Sequence, residues 1–183
     1  MSASILPLEA LGPRIMVCGP SSSGKSTLAV ALAQRLDAEA FHLDLFRHVP
    51  DTDWVQRTDG EFLALHDAAI VRDRWVMDGN YSALMPQRLA RATGIVLLDD
   101  SRWANVFRYL RRTLFERRRR PGSLAGDKDS IKWEMIRWIL INQPTLRERN
   151  RAMVRAPGLP LVELQSMRAL NQAYSAWRLS GPT

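Results

Sequence analysis

The chain has 183 residues, 46% of them hydrophobic, and its formal net charge at pH 7 is +7. This length and composition suffice for one sizeable core, so we predict a single domain over residues 1–183. The single cysteine, Cys18, excludes an internal disulfide. Because the sequence has neither a signal-like start nor 18 consecutive apolar residues, we expect a cytoplasmic protein with no membrane partner.

The first predicted strand, Ile15–Cys18, leads into a glycine-rich loop and then into a helix that reaches Leu36. The loop has the complete pattern G-x-x-x-x-G-K-[ST], in the strand, loop and helix context that this motif requires. Its residues are Gly19, Pro20, Ser21, Ser22, Ser23, Gly24, Lys25, Ser26 and Thr27. We therefore predict a site for the phosphates of ATP.

The residue types of the loop follow from phosphate chemistry. The two glycines allow successive backbone N–H groups to point at phosphate oxygens, and the following helix adds the positive end of its dipole. Lys25 is predicted to reach the β- and γ-phosphates. Ser26 is predicted to bind Mg²⁺, a cation that prefers oxygen ligands.

Further elements follow the loop in chain order. Phe41–Leu43 predicts a second strand that ends at Asp44, and Thr58 to Glu61 has the spacing of a capping box for a helix through about Arg72. A third strand, Arg74–Met77, ends at Asp78. A helix around Met85–Arg91 then precedes a fourth, wholly apolar strand, Gly94–Leu98, which is typical of burial on both faces.

The last third of the chain is predicted to be mostly helical and is strongly basic. Ser101 caps a helix through Glu116, residues 122–129 form a polar break, and helices follow at about 131–141 and 144–154. A fifth strand, Leu161–Leu164, and a helix over 168–177 end the pattern. Residues 101–155 hold 15 Lys and Arg against 5 Asp and Glu, so this segment suits a nucleic acid or a densely anionic substrate.

Strands that alternate with helices predict an α/β fold, a parallel sheet with helices on both faces. Ligands of such sheets bind beyond the carboxyl ends of the strands, which makes Asp44, Asp78 and Asp99 candidates. Asp78, followed by Gly79, fits the acid that helps to hold Mg²⁺, and Asp99 or Asp100 fits it equally well, so spacing leaves the choice open. Asp44 fits a group that orients an acceptor hydroxyl or accepts its proton.

Several segments together resemble one known family, the adenylate-kinase-like P-loop proteins called DNA topology modulation proteins. The resemblance covers roughly residues 15–177. It rests on the phosphate loop, His42-Leu43-Asp44, Trp75 to Tyr81, Arg88, Leu97-Leu98-Asp99, the arginine-rich helix and Lys132-Trp133-Glu134.

The resemblance implies a nucleoside-monophosphate-kinase type of core, a three-layer sandwich with five parallel strands in the order 2-3-1-4-5. It also implies an arginine-rich lid at about 113–130. Asp78-Gly79 matches the Asp-Gly before the acceptor site of adenylate kinases, which favours Asp78 for Mg²⁺, and Arg88 matches an acceptor-side arginine. Asn80-Tyr81 departs from the Phe-Pro-Arg that follows Asp-Gly in those enzymes.

The basic segment supplies candidate catalytic arginines. Arg108 and Arg112 are spaced to share one helix face, where they would repel unless an anion or water screens them. In lid-bearing kinases such arginines fold over the transferring phosphoryl group and offset its charge.

These observations predict an ATP-dependent kinase whose acceptor is a small molecule, a nucleotide or nucleoside-like compound. Lys25, Asp44, Arg108 and Arg112 are the predicted catalytic residues. Asp44, Asp78, Gly79 and Arg88 are the predicted acceptor residues, and Ser26 and Asp78 the metal ligands. The alternative is an ATP-dependent regulatory protein that acts on DNA topology. A plain ATPase ranks last, because neither strand-end acid is followed by a catalytic glutamate.

Overall fold

The structure is a computed structural model that describes residues 5–52, 54–101, 105, 107 and 143–181. Five strands in these ranges form one parallel sheet, with the order β2-β3-β1-β4-β5. They are β1 (Arg14–Cys18), β2 (Glu39–His42), β3 (Trp75–Asp78), β4 (Gly94–Leu98) and β5 (Leu161–Leu164). The predicted α/β fold and strand order are thus confirmed.

The helices of the described ranges connect these strands. They are α1 (Lys25–Leu36), α2 (Leu43–Arg47), α3 (Asp59–Ile70), α4 (Met85–Arg91), α5 (Gln143–Arg155) and α6 (Met167–Ala176), with short 3₁₀ helices at Leu8–Leu11 and Ser82–Leu84. The capping box of α3 is present, since Thr58 accepts from the Glu61 N–H and the Glu61 side chain accepts from the Thr58 N–H. The helix α2 was not predicted.

Both faces of the sheet are covered, which explains the apolar strands. Alternate residues of β1 belong to two different cores, Ile15 and Val17 to one and Met16 and Cys18 to the other. All five residues of β4 are buried. Each such Ile, Val or Leu contributes about 1.5–3 kcal/mol through removal of its side chain from water.

The parallel sheet brings the carboxyl ends of three strands to one edge. Asp78 of β3 lies opposite Val17 of β1, and His42 of β2 lies opposite Asp78. Asp99 follows β4, on the other side of β1. The phosphate loop continues from β1 at this same edge, so Asp78 ends the strand on one side of β1 and Asp99 follows the strand on the other side.

Candidate functional site

The phosphate loop joins β1 directly to α1. Gly19 has φ 146°, and a Cβ there would lie 2.4 Å from the carbonyl oxygen of Leu98. Only glycine therefore allows the loop to pass so close to the end of β4. Gly24 has φ 93° and caps α1, so the helix begins at Lys25 with its first N–H groups turned toward the loop.

Three polar side chains belong to the loop for which phosphate binding was predicted. Lys25 donates a hydrogen bond of 2.7 Å to the carbonyl of Pro20, so its side chain folds back along the loop. Ser26 is half-buried in the first turn of α1. Ser23 is buried, and its hydroxyl has no hydrogen-bond partner among the described residues. A buried hydroxyl without a partner suits an anionic ligand, because an unsatisfied polar group costs about 1–3 kcal/mol.

The side chain of Asn80 joins the beginning of this loop to the end of β3 by two hydrogen bonds. Its side-chain oxygen accepts from the Gly19 N–H at 3.1 Å, and its side-chain nitrogen donates to the Gly19 carbonyl at 2.9 Å. Both backbone polar groups of Gly19 are thus satisfied by one amide side chain. Sequence reasoning missed this role, and the only signal for it is an amide directly after the strand-end Asp-Gly.

Arg88 supports the segment that carries Asn80. It is fully buried and donates hydrogen bonds to the carbonyls of Gly79 at 2.8 Å, Asn80 and Tyr81 at 3.2 Å. Burial lowers the pKa of its guanidinium, partly offset by Asp78 and Cys18. The sequence predicted that Arg88 faces the acceptor, but the guanidinium instead binds backbone oxygens in the interior.

Gly79 makes the close packing of this segment possible. Its φ is 116°, and a Cβ there would lie 2.9 Å from the Cβ of Leu43. The segment after β3 therefore packs against the first residue of α2.

Asp78 is the buried acid beside the loop. One carboxylate oxygen lies 3.1 Å from Nδ1 of His42, and the other, Oδ2, has no hydrogen-bond partner among the described residues. An orphaned, buried carboxylate oxygen is a suitable ligand for Mg²⁺ or for one of its water molecules. Asp78 and the half-buried Ser26 thus fit the predicted metal site.

Asp99, the alternative to Asp78 as the acid that holds Mg²⁺, has different partners. Its carboxylate forms an ion pair with Arg151 of α5, and its N–H donates to the Leu164 carbonyl at 2.9 Å. The carboxylate therefore links β4 to α5. This pairing favours Asp78 over Asp99 as the acid that serves the metal.

Asp44 lies in the first turn of α2, not at a strand end as predicted, and is exposed. The Tyr81 hydroxyl donates to its Oδ1 at 2.7 Å. Burial raises the pKa of Tyr81 well above its ordinary value, and the neighbouring Asp44 carboxylate raises it further. The phenol therefore stays a neutral donor to Asp44 throughout the physiological pH range.

The surroundings of α2 are held by two arginines. Arg57 donates to the carbonyls of Leu45 at 2.9 Å, Phe46 at 3.1 Å and His48. Arg47 donates to Asp59 and Gln56, and its guanidinium lies 5.4 Å from the centre of the Phe62 ring. Phe62 contacts the Tyr81 ring edge to face at 5.1 Å. These contacts give Asp44 a fixed backbone.

Other predicted features of the site fall elsewhere. Arg108, Arg112 and the lid at about 113–130 lie outside the described residues. Within the described ranges, His, Cys, Asp and Glu form no group of three or more that could hold a metal ion. No helix in those ranges is both long and apolar enough to span a membrane.

Solved structures with the same fold are kinases by name. Shikimate kinase from Bacteroides thetaiotaomicron aligns with a TM-score of 0.54 and 15% identity, covering 91% of this chain and 99% of its own. Shikimate kinase from Acinetobacter baumannii, solved with shikimate, aligns with a TM-score of 0.53 and 17% identity, covering 91% and 92%. At these identities the likeness establishes the P-loop kinase-like fold.

Sequence comparison adds one curated relative. A tRNA dimethylallyltransferase of Streptomyces avermitilis is 38% identical over 95 residues, which are 50% of this chain and 30% of that protein. The chain thus spans less than a third of that relative's length. No protein-family model matches the chain.

Proposed function

We propose that this protein is an ATP-dependent kinase that transfers the γ-phosphoryl group to a small acceptor, a nucleotide or nucleoside-like compound. One observation carries the proposal: a phosphate loop, a buried acid with an unpaired oxygen and an exposed acid are connected at one edge of the sheet. The connection runs from Gly19 through Asn80 and Tyr81 to Asp44. A donor site and an acceptor site that are tied together suit a two-substrate enzyme.

The residues have separate tasks in this proposal. Lys25 and the backbone N–H groups of the loop hold the phosphates of ATP, and Ser26 and Asp78 hold Mg²⁺. When bound, Mg²⁺ neutralises charge on the phosphate oxygens. Asp44 and the backbone at Gly79 face the acceptor, and Arg88 keeps that backbone in place. Arg108, Arg112 and the lid at about 113–130 close over the transferring group and exclude water.

The interpretations of family, acceptor and location that the sequence suggested belong to the same proposal. The strand-end Asp78-Gly79 and the strand order support membership of the adenylate-kinase-like group named above. The departure at Asn80-Tyr81 supports an acceptor other than that of adenylate kinases. We also infer a cytoplasmic location, since ATP and small metabolites are available there.

Replacement of the loop lysine tests the proposal. We expect Lys25→Ala to reduce acceptor-dependent ADP release at least ~100-fold, because a charge that stabilises the transferring phosphoryl group is lost. Its fold should persist in far-UV circular dichroism. The same variant should lose the increase in Tm that ATP with Mg²⁺ gives the wild type.

Arg35→Ala is the matched control, because Arg35 is exposed in the last turn of α1, away from the loop. It should retain both turnover and the ATP-dependent increase in Tm. Full turnover in Lys25→Ala would contradict the assigned site.

A second candidate is an ATP-dependent protein that acts on nucleic acid. Two observations favour it: the excess of basic residues in 101–155, and a relative named for a tRNA reaction. ATP would then act as a switch while arginines contact the phosphate backbone. Stimulation of ATP hydrolysis by nucleic acid, without any small acceptor, would distinguish this function from a kinase.

A further inference from the structure

We propose that the phosphoryl acceptor is an uncharged alcohol, that Asp44 accepts the proton of its hydroxyl, and that Tyr81 is the positioning residue of the Asp44 carboxylate. This inference rests on the proposed kinase function and narrows its acceptor from nucleotides and nucleosides to neutral hydroxyl compounds.

The first step concerns the need for a base. The oxygens of a phosphate acceptor are already ionised near neutral pH, so their attack requires no proton acceptor. An alcohol must lose a proton as it attacks, and a positioned carboxylate contributes about 10²–10⁴-fold to such a step. An exposed carboxylate with a fixed backbone, Asp44, is therefore useful to an alcohol acceptor.

The second step concerns repulsion. A phosphate within about 4 Å of the Asp44 carboxylate is opposed by roughly 1 kcal/mol per charge pair in water and about 4 kcal/mol at a protein surface. A monophosphate acceptor would therefore need compensating arginines close to Asp44. A neutral hydroxyl needs none.

The described arginines around Asp44 are all engaged with the protein itself. Arg88 binds three carbonyls, and Arg57 binds three others. Arg47 pairs with Asp59. These three are the arginines of residues 43–58 and 79–88, so release of any of them to an acceptor phosphate would break contacts that hold the site.

The third step concerns Tyr81. Its φ is 25°, a backbone conformation that costs a residue with a side chain about 1–3 kcal/mol. The hydrogen bonds from Arg88 and the contact with Phe62 hold it there. The phenol has one hydrogen to donate, and it donates it to Oδ1 of Asp44. The strained backbone of Tyr81 thus directs its phenol toward Asp44, and the hydrogen bond from the phenol fixes the orientation of the Asp44 carboxylate.

The reaction balances without any further reagent. The acceptor oxygen forms a bond to the γ-phosphorus as the bond between that phosphorus and the β,γ-bridging oxygen breaks. The bonding electrons leave with ADP. The hydroxyl proton passes to Asp44 and then to solvent, so one alcohol and one ATP give a phosphate ester, ADP and a proton.

Acceptor competition tests the inference. With ATP and Mg²⁺, ADP release would be measured for adenosine, guanosine, cytidine, uridine, ribose and glycerol, and for the 5′-monophosphates of the four nucleosides. We expect turnover with neutral compounds and at least ~10-fold lower kcat/KM for the monophosphate of any nucleoside that is a substrate. Phosphorylation of a monophosphate at its phosphate group, at equal or higher kcat/KM, would overturn the inference.

Two variants identify the base. Asp44→Asn should lower kcat with the best alcohol about 100-fold or more while ATP affinity stays unchanged. Asp73→Asn, an exposed carboxylate before β3 at the opposite edge of the sheet, is the matched control and should behave as wild type. If Asp44→Asn kept the kcat of the wild type, Asp44 would not be the proton acceptor.

Tyr81→Phe keeps the ring against Phe62 but removes the hydroxyl. We expect kcat with the best alcohol to fall while KM for ATP stays unchanged, because the Asp44 carboxylate loses the donor that orients it. A kcat equal to that of the wild type would exclude the positioning role. Failure of the kinase function itself would look different, since the wild type would then release no ADP in response to any neutral or phosphorylated acceptor.

Discussion

At the scale of single residues, the site depends on side chains that bind backbone. Asn80 satisfies both polar groups of Gly19, and Arg88 satisfies the carbonyls of three successive residues, 79 to 81. A net contribution of about 0.5–1.5 kcal/mol for each such hydrogen bond makes both residues important for the loop geometry. In the proposed site, Lys25 supplies the charge that binds phosphate, and Asn80 and Arg88 hold the geometry of the loop without contacting phosphate.

Asn80 gives a prediction at this scale. Asn80→Ala removes two hydrogen bonds and leaves the Gly19 N–H without its partner, so we expect KM for ATP to rise about tenfold or more. Steady-state kinetics at saturating acceptor would measure this. Asn171→Ala, an exposed asparagine on α6, is the control. A KM equal to that of the wild type would show that the loop holds its shape without Asn80.

At the scale of elements, the proposed acceptor side contains the short helix α2, whereas the phosphate loop leads into the long helix α1. The phosphate loop lies between a buried strand and the twelve-residue helix α1. The helix α2 has five residues, and its carbonyls at 45, 46 and 48 are bound by Arg57. Phe62, on α3, contacts Tyr81 and thereby connects this helix to Asp44.

The cap of α3 gives the prediction for elements. Thr58→Ala removes the capping box, so the free energy of unfolding should fall by about 1 kcal/mol. Urea denaturation would measure it. Because α3 carries Phe62, we also expect KM for the acceptor to rise while KM for ATP does not change.

Thr58→Ser serves as the control, since it keeps the capping oxygen and should restore both values. A loss of stability with no change in KM for the acceptor would show that α3 does not affect acceptor binding.

At the scale of the whole molecule, charge and fold point to different partners. The proposed site at the sheet edge would take ATP and a small acceptor, whereas residues 101–155 carry 10 more basic than acidic residues. The lid that the kinase proposal places in this segment would account for the charge without nucleic acid. The two explanations differ in what DNA should do to turnover.

The kinase function predicts only non-specific binding of duplex DNA. Fluorescence anisotropy with a short labelled duplex should give a Kd of about 10⁻⁴–10⁻⁶ M at physiological salt, weakening as salt rises. The duplex should leave acceptor-dependent ADP release unchanged. Tight binding together with DNA-stimulated ATP hydrolysis would support the regulatory function instead.

Local pattern was sufficient to predict the phosphate loop, the strands and most helices of the described ranges. The loop motif is contiguous, and the apolar strands are buried on both faces, so their composition alone marks them. The helix α2 was missed, because five residues show no helical period and its stability comes from Arg57. Asp44 was therefore placed at a strand end, whereas it lies in a helix turn.

Local sequence was enough to predict the phosphate loop, the strands, and the acids Asp78 and Asp99 at the ends of two of them, because these signals are contiguous in the chain. The contacts of Asn80, Tyr81 and Arg88 are visible only in the folded molecule. The partners of Asn80 and Tyr81 lie 61 and 37 residues away, at Gly19 and Asp44. Hydrogen bonds between such distant residues depend on strand order and register, which no local pattern encodes. The sequence suggests that Arg88 binds an anion, yet its guanidinium is completely buried and donates to backbone carbonyls instead.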